Sequence, residues 1–511
     1  MKKESKSMLV LTLPLKLESW QYDRLNKKME NARQIYNSML SKWKAVYAEM
    51  IARKDWKETS NIIKTEKEKM NAKGAKKNTP ELTKAYQTRN SIMKEYGFTE
   101  YSMRADAVRR AAHFAASIPS NMASQSIGIR MWSAFRTVLF AEGENVSFRR
   151  WYDFNSLSTD NASGMRFVEQ NEKFFLIFSN RNARAKELKI PVACPDDDVY
   201  AFRILSCPVK QVRLVRRQEK SKWHFYVQLT ADISSCVHQF SEPKHTVGFG
   251  KVGIAIWRGE LYAVSEGCVK HFLLNPWKDA TEKKIAELDQ HIDILRRQNN
   301  PNNYNSDGTP KSGAKKWNSS VLQRELGRQR REILRIEKQR RIYLQRNIVY
   351  ELLEMGDEFV MFDYSFKNSR NKYEMSVDKT AKEYIAEKAH RKSMQQDAPA
   401  ALIDKLSRKL AMYMRPDIEK YKVPHELYWY QHIEDRCDRD LFPGKVCNID
   451  GVMMPQTVYR AFLMLCYNAE TKSFDKEYLN AIWSDFLENL RIDEEEINSE
   501  KRCSISSWVS C

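Results

Sequence analysis

The period of the apolar residues changes twice along the chain, and that change limits the available folds more than any single motif. The opening MLVLTLPLKL is β-like, and SWQYDRLNKKMENARQIYNSMLSKWKAVYAEM then runs at helical spacing with Ser19 at the N-cap position. Residues 20 to about 140 read as several helices, interrupted by the polar stretch NAKGAKKNTP and by a proline turn at 118–120. From Asn145 the texture shifts to short runs, NVSFRRW, GMRFV, KFFLIFS, ELKIPVA, VKQVRLVRR and KWHFYVQLT, rich in Val, Ile, Phe and Tyr. These predict a small β-barrel that the first strand joins, which makes the helical unit an insertion.

A third unit starts near Thr246, where TVGFG, GIAIW and LYAVSEG read as three strands followed by long helical material, an RNase H-like beginning. Within that material NNPNNYNSDGTPKSGAKK reads as a mobile polar loop. The Arg-rich helix after it ends at Gly356, as a C′ glycine would end it, and the short strand EFVMFDYSF follows. The last part is helical and turns acidic, with no internal repeat.

A formal charge of +20 over 511 residues makes a polyanion the expected partner, because each neutralised phosphate releases condensed counterions. Hydrophobic residues at 42% and a mean hydropathy of −0.65 exclude a disordered chain and a membrane protein. Nine cysteines lie scattered with no CxxC pair, so neither a disulfide framework nor a zinc ribbon is visible, and a reducing cytoplasm is expected.

Gly248-Phe-Gly250-Lys-Val-Gly253 matches G-x-G-x-x-G. A kinase needs a Lys where IAIW ends in Trp257, and a Rossmann turn needs a helix where GIAIW continues as a strand, so both readings are set aside.

Five segments in order resemble the TnpB family and the related type V CRISPR effectors. These are LTLPLKLESWQYDRLNKKMENARQIYN, the block from NVSFRRW to KWHFYVQL, APAALIDKLSRKL, YQHIEDR and DGVMMPQTVYRAFLML. The resemblance implies an α/β multidomain chain. A wedge strand (1–18) leads into a helical recognition lobe (19–143) and a wedge β-barrel (144–245). A RuvC-like domain (246–424) holds the Arg-rich helix (320–355); a degenerate zinc-ribbon-like insertion (425–450), the end of the RuvC-like domain (451–470) and an acidic helical tail (471–511) follow.

RuvC nucleases hold two hard cations with carboxylates from three places. The family's V-G-I-D aligns with Val247-Gly248-Phe249-Gly250. Its V-V-E-D-L-x-x-K-N, anchored on Lys367-Asn368, puts Phe362 at the Glu; its R-D-L-Y-S-A-F-L puts Thr457 at the Asp. Gly250, Phe362 and Thr457 replace all three carboxylates, so no catalytic residue and no bound metal is expected. The alternatives are an active endonuclease with displaced carboxylates at Asp363 and at Asp440 or Asp450, or a targeting subunit of a transposition complex. Cys437 and Cys447, with His432 nearby, are too few for tetrahedral zinc.

The candidate nucleic-acid residues are Arg324, Arg328, Arg331 and Arg335 along one helical stripe, which Glu325, Glu332 and Glu337 can also pair. Others are the mixed basic and aromatic sets Arg149, Arg150, Trp151 and Tyr152, and Lys210, Arg213, Arg216 and Arg217 with Trp223. By resemblance the partners are a guide RNA and a double-stranded DNA target. A transcription factor or RNA polymerase component, such as a sigma-like factor, and a second copy of the chain as a homodimer are the further partners considered. The output expected of a binder that does not cut is transcription control. The apolar stripe Leu479, Ile482, Trp483, Phe486, Leu487 and Leu490 is either core or the dock for such a partner.

Overall fold

The computed structural model describes residues 8–492 other than 73–78, 115–117, 119, 141–144, 163, 180–186, 195–197, 220–221, 237–239, 241–244, 258, 314–315, 364–395, 422–426, 428, 443, 469–470 and 472. The chain is mixed α/β and divides into two units, Met1–Cys236 and Val237–Cys511. No helix among the described residues is long and apolar enough to cross a membrane.

The first unit begins with β1 (Met8–Pro14) and five helices, α1 (Ser19–Ala52), α2 (Lys54–Ala72), α3 (Pro80–Glu95), α4 (Glu100–Ala111) and α5 (Asn121–Phe140). The N-cap of α1 is Glu18, one residue before the expected Ser19. Its side chain and that of Gln21 cap reciprocally, and Gln21 Oε1 accepts the Glu18 N–H at 3.1 Å. Leu25, Met29, Tyr36, Met39, Leu40 and Trp43 recur at helical spacing and are buried. Phe98 lies at the centre of the helical core, with the rings of Trp43, Tyr47 and Phe135 at 5.7, 5.9 and 5.1 Å.

Strands β2 (Ser156–Asp160), β3 (Met165–Gln170), β4 (Lys173–Phe178) and β5 (Leu188–Pro191) follow, then α6 (Val199–Leu205) and the hairpin β6 (Val209–Glu219) and β7 (Lys222–Asp232). They form two antiparallel sheets, β1-β7-β6-β2 and β3-β4-β5. The first strand pairs with β7 from Met8↔Asp232 to Pro14↔Tyr226, so the helices are inserted between partners of one sheet. A single bridge, Leu15↔Val192, links β1 to β5, flanked by Lys16 N–H to the Pro191 carbonyl at 2.9 Å and Ala193 N–H to the Pro14 carbonyl at 2.8 Å. The run NVSFRRW is not a strand. The Arg149 N–H donates to Asn37 Oδ1 at 2.8 Å, and its carbonyl accepts from Arg33 and Asn37, both at 2.9 Å, so α1 takes the groups a ladder would need.

The second unit is built on a five-stranded sheet of order β10-β9-β8-β11-β12, with β8 (Lys251–Trp257), β9 (Glu260–Ser265), β10 (Cys268–Leu273), β11 (Glu358–Phe362) and β12 (Glu419–Tyr421). The first three strands are antiparallel neighbours, whereas β8, β11 and β12 are parallel. Between β10 and β11 run α7 (Lys278–Gln298) and α8 (Val321–Met355), and α9 (Pro399–Met412) precedes β12.

Three expectations are corrected here. TVGFG is not a strand: Gly250 has φ +103°, in the region L side chains rarely adopt, and β8 starts only at Lys251. The third strand is therefore CVKHFL. Gly356 is extended, at φ 172°, so it is not a left-handed cap; a Cβ there would stand 2.4 Å from the Gly250 carbonyl oxygen.

The third correction concerns the loop expected over 299–316: its described residues, 299–313 and 316, form a hydrogen-bonded knob between α7 and α8. Asn300 is buried and donates to the carbonyls of Arg296 and Asn318 at 2.9 and 2.8 Å, while its Oδ1 accepts the Asn318 N–H at 2.6 Å. Asn303 donates to the Lys316 carbonyl at 2.9 Å, and Asn305 to Thr309 Oγ1 at 3.0 Å. Side-chain amides supply the bonds that no helix or sheet provides.

Hairpins β13 (Tyr430–Gln431) with β14 (Arg436–Cys437), and β15 (Val446–Ile449) with β16 (Val452–Pro455), lead into α10 (Gln456–Leu463). The short pair β17 (Tyr467–Asn468) and β18 (Ser473–Phe474), then α11 (Lys476–Ala481) and a helix over 483–492, complete the unit.

Candidate functional site

The parallel register of β8 and β11 decides which residues can meet. Glu358 pairs with Lys251 and Met361 with Ile254, which carries Phe362 to the level of Ala255. Gly250 instead lies beside Asp357: its N–H donates to Asp357 Oδ1 at 3.1 Å, and its carbonyl accepts the N–H groups of Asp357 and Glu358, each at 3.2 Å. Five residues of strand, about 16 Å, separate that level from Phe362. Gly250 and Phe362 thus do not lie side by side across β8 and β11. The segment Val252-Gly253-Ile254-Ala255 fits V-G-I-D in three of four positions and places Ala255 at the Asp.

Ala255 and Phe362 are both fully buried, in one cluster with Val458, Tyr459, Ala461 and Phe462 of α10. The helix crosses the strand so closely that a Cβ on Gly253 would stand 2.0 Å from the Ala461 carbonyl oxygen. Thr457, one turn before Ala461 on α10, is buried too. A methyl, a phenyl ring and a hydroxyl offer no anionic oxygen, so these residues do not fit a pair of divalent cations.

The displaced carboxylates are scattered. Asp363 follows β11, is exposed, and donates its N–H to the Tyr421 carbonyl at 2.8 Å. Asp450 sits at φ 52° in the turn between β15 and β16, and Asp440 lies in a 3-10 turn with its N–H bonded to Asp438 at 2.9 Å. Among the described residues no three His, Cys, Asp or Glu side chains are grouped to hold a metal ion. Lys367 and Asn368 lie outside the described residues.

The two candidate cysteines are unlike one another: Cys437 is exposed, whereas Cys447 is buried against the Met454 carbonyl. His432 belongs to the core. Its Nδ1 meets the Tyr459 hydroxyl at 2.7 Å, its ring lies 4.7 Å from that of Trp483, and its Nε2 has no partner among the described residues. Burial pushes its pKa down to about 4. A His neutral when folded but titrating near 6.5 when unfolded contributes stability above about pH 6.5, lost as pH falls towards 4, about 3 kcal/mol in all. A His432→Gln variant should melt with a flatter profile than the wild type across that window. Parallel profiles would remove His432 as the cause.

The nucleic-acid candidates separate by burial. Arg216 was expected at phosphate but is 1% exposed, between the rings of Trp151 at 4.3 Å and Trp223 at 4.6 Å. It donates to Asn26 Oδ1 at 3.1 Å and to the carbonyls of Trp151 and Phe154 at 2.5 and 3.3 Å. A cation so enclosed positions other groups and cannot reach a phosphate. Arg217 is half-buried, 4.9 Å over the Tyr226 ring, whereas Arg150, Lys210 and Arg213 are exposed. Arg149 is half-buried over Tyr36, and Arg150 donates to the Tyr152 hydroxyl at 2.7 Å.

On α8, Arg328 is ion-paired with Glu325, and Arg335 with Glu332 at 2.8 Å. Arg331 is half-buried and Arg324 exposed. A phosphate would compete with carboxylates for two of the four guanidinium groups. A cleft of about 600 Å³ at the start of β8, lined by Phe249, Lys251, Glu266, Lys270 and Glu354 among others, carries both signs of charge.

No protein-family model matches the chain, and no curated protein matches it significantly. Among the solved structures that resemble it are two determined by cryo-EM. One is a Cas12f1-sgRNA-target DNA complex, with a TM-score of 0.42, 12% identity, and coverage of 90% of this chain and 98% of that one. The other is a CRISPR-Cas12f ternary complex, with a TM-score of 0.27, 12% identity, and coverage of 86% and 79%. Likenesses of this size decide nothing about the site, which rests on its own residues.

Proposed function

We propose that the chain is an RNA-guided, sequence-specific DNA-binding protein without nuclease activity, a RuvC-like effector whose output is occupancy of its target. The observation that carries this is the apolar filling of the site: Ala255 and Phe362 are fully buried side by side under α10, with Thr457 at the third position. The order β10-β9-β8-β11-β12, antiparallel then parallel, supports an RNase H-type sheet around that site. The exposed cations Arg150, Lys210, Arg213 and Arg324, and the charge of +20, support a nucleic-acid partner. A guide RNA would supply sequence recognition through base pairing. Bound at a promoter, such a complex blocks polymerase or delivers a partner such as a sigma-like factor.

The purified protein with its co-purifying RNA, incubated with a matched supercoiled plasmid, should bind it and leave it supercoiled in both Mg²⁺ and Mn²⁺. Nicking that EDTA abolishes would restore the nuclease reading. Absence of co-purifying RNA would remove the guide.

A further inference from the structure

The knob at the end of the α7–α8 hairpin carries more positive charge than any neutral linker needs. Between 294 and 324 the described basic residues are Arg296, Arg297, Lys311, Lys316 and Arg324 against Asp307, and Arg297 is paired with Asp293 just outside that span. The Asp307 carboxylate is engaged within its own turn, accepting the Thr309 N–H at 2.8 Å and hydroxyl at 2.6 Å. Lys311, Lys316 and Arg324 are exposed and make no salt bridge among the described residues. Beside them Trp317 is 39% exposed; the Arg296 guanidinium lies 4.1 Å from its ring, and Tyr304 meets it edge-on at 5.8 Å. The aromatic ring is contacted by Arg296 and Tyr304 and keeps part of its surface exposed near these cations.

We infer that this knob is a nucleic-acid contact, in which Trp317 stacks on an unpaired base while Lys311, Lys316 and Arg324 hold the adjoining phosphates. The inference deepens the proposed function by naming a contact for it. The physical case is preorganisation. A mobile polar loop would lose entropy on binding, whereas the amides of Asn300, Asn303 and Asn305 already fix this one. Charge favours a strand of phosphates over an apolar protein helix, although Val321 and Leu322 are exposed nearby. Base and phosphate chemistry is shared by RNA and single-stranded DNA, so the source is left to the experiment.

Full-length protein, stripped of bound nucleic acid, is titrated with fluorescein-labelled oligo(U) and oligo(dT) across a salt series. Trp317→Ala should weaken binding about ten-fold, the usual scale for losing one stacked base, with an unchanged salt slope. Trp317→Phe should recover much of the loss. A Lys311→Gln, Lys316→Gln, Arg324→Gln triple variant should flatten the slope by about 2, since each single-strand phosphate contributes roughly 0.7. Larger losses with oligo(U) assign the knob to RNA, and larger losses with oligo(dT) assign it to a DNA strand. Wild-type affinity and slope in both variants, with melting unchanged, would overturn the inference while leaving guided duplex binding by the wild type untouched. Loss of guided binding with knob effects intact would instead overturn the proposed function alone.

Discussion

Carboxylates introduced at Ala255, Phe362 and Thr457 should destabilise the second unit rather than create a nuclease. Phe362 has no exposed surface. Removing a buried Phe ring costs roughly 3–5 kcal/mol, and a carboxyl group in its place adds a polar burial of roughly 1–3 kcal/mol unless it finds a hydrogen-bond partner. Whole domains are stable by only about 5–15 kcal/mol, so Phe362→Glu alone should remove most of the margin. Ala255→Asp meets the same enclosed environment, on the strand that α10 covers. Thr457→Asp differs in degree: Thr457 is buried as well, but at 8% exposure it is less enclosed than Phe362 and sits in the first turn of α10, where an acidic side chain complements the helix dipole, so its melting temperature should fall less than that of the other two. Thermal melts followed by circular dichroism should therefore rank Thr457→Asp well above Ala255→Asp, and Phe362→Glu last. A triple variant that melts cooperatively near the wild type and nicks DNA with Mg²⁺ would show that the apolar filling is incidental.

Strands and helices were legible wherever apolar periodicity was strong, and errors arose where a local interaction competed with it. GIAIW and EFVMF are buried from both faces of the central sheet, and both strands form. NVSFRRW has strand-like composition, but Asn37 and Arg33, more than a hundred residues away, capture the backbone of Arg149. The burial of Arg216 was readable from parity: Val212, Leu214 and Arg216 alternate on one face of β6, and all three are buried. Composition suggested a phosphate contact, whereas periodicity pointed inward. TVGFG and KVGIA both contain Val-Gly, so the sequence alone could not say which of Gly250 and Ala255 shares a level with Phe362; the pairing of Met361 with Ile254 selects Ala255. Composition alone could not show that 299–313 is folded, because polar residues ordinarily bond to water; here three asparagine amides bond to the chain itself.

Truncation after Asn468 should abolish target occupancy and reporter output together, because the apolar stripe at the end of the chain is core rather than a dock. Leu479, Trp483, Phe486 and Leu490 are buried in the cluster that holds Phe362 and Phe462, with Ile482 and Leu487 packed against it. The Phe462 and Phe486 rings lie 4.3 Å apart, and those of Phe462 and Trp483 5.5 Å. The cut also removes Phe474, the partner of Tyr467 in the β17–β18 pair. Five buried apolar side chains, at roughly 1.5–3 kcal/mol each, amount to about 10 kcal/mol, comparable to the stability of the entire unit. The expected product is insoluble or protease-sensitive protein, with neither DNA binding nor an effect on transcription. A second truncation after Ile492 keeps every one of those side chains, so it should express and bind its target like the wild type. If it holds occupancy while reporter output falls, residues 493–511 recruit a partner; if the cut after Asn468 leaves occupancy intact, the stripe is not part of the core that positions α10.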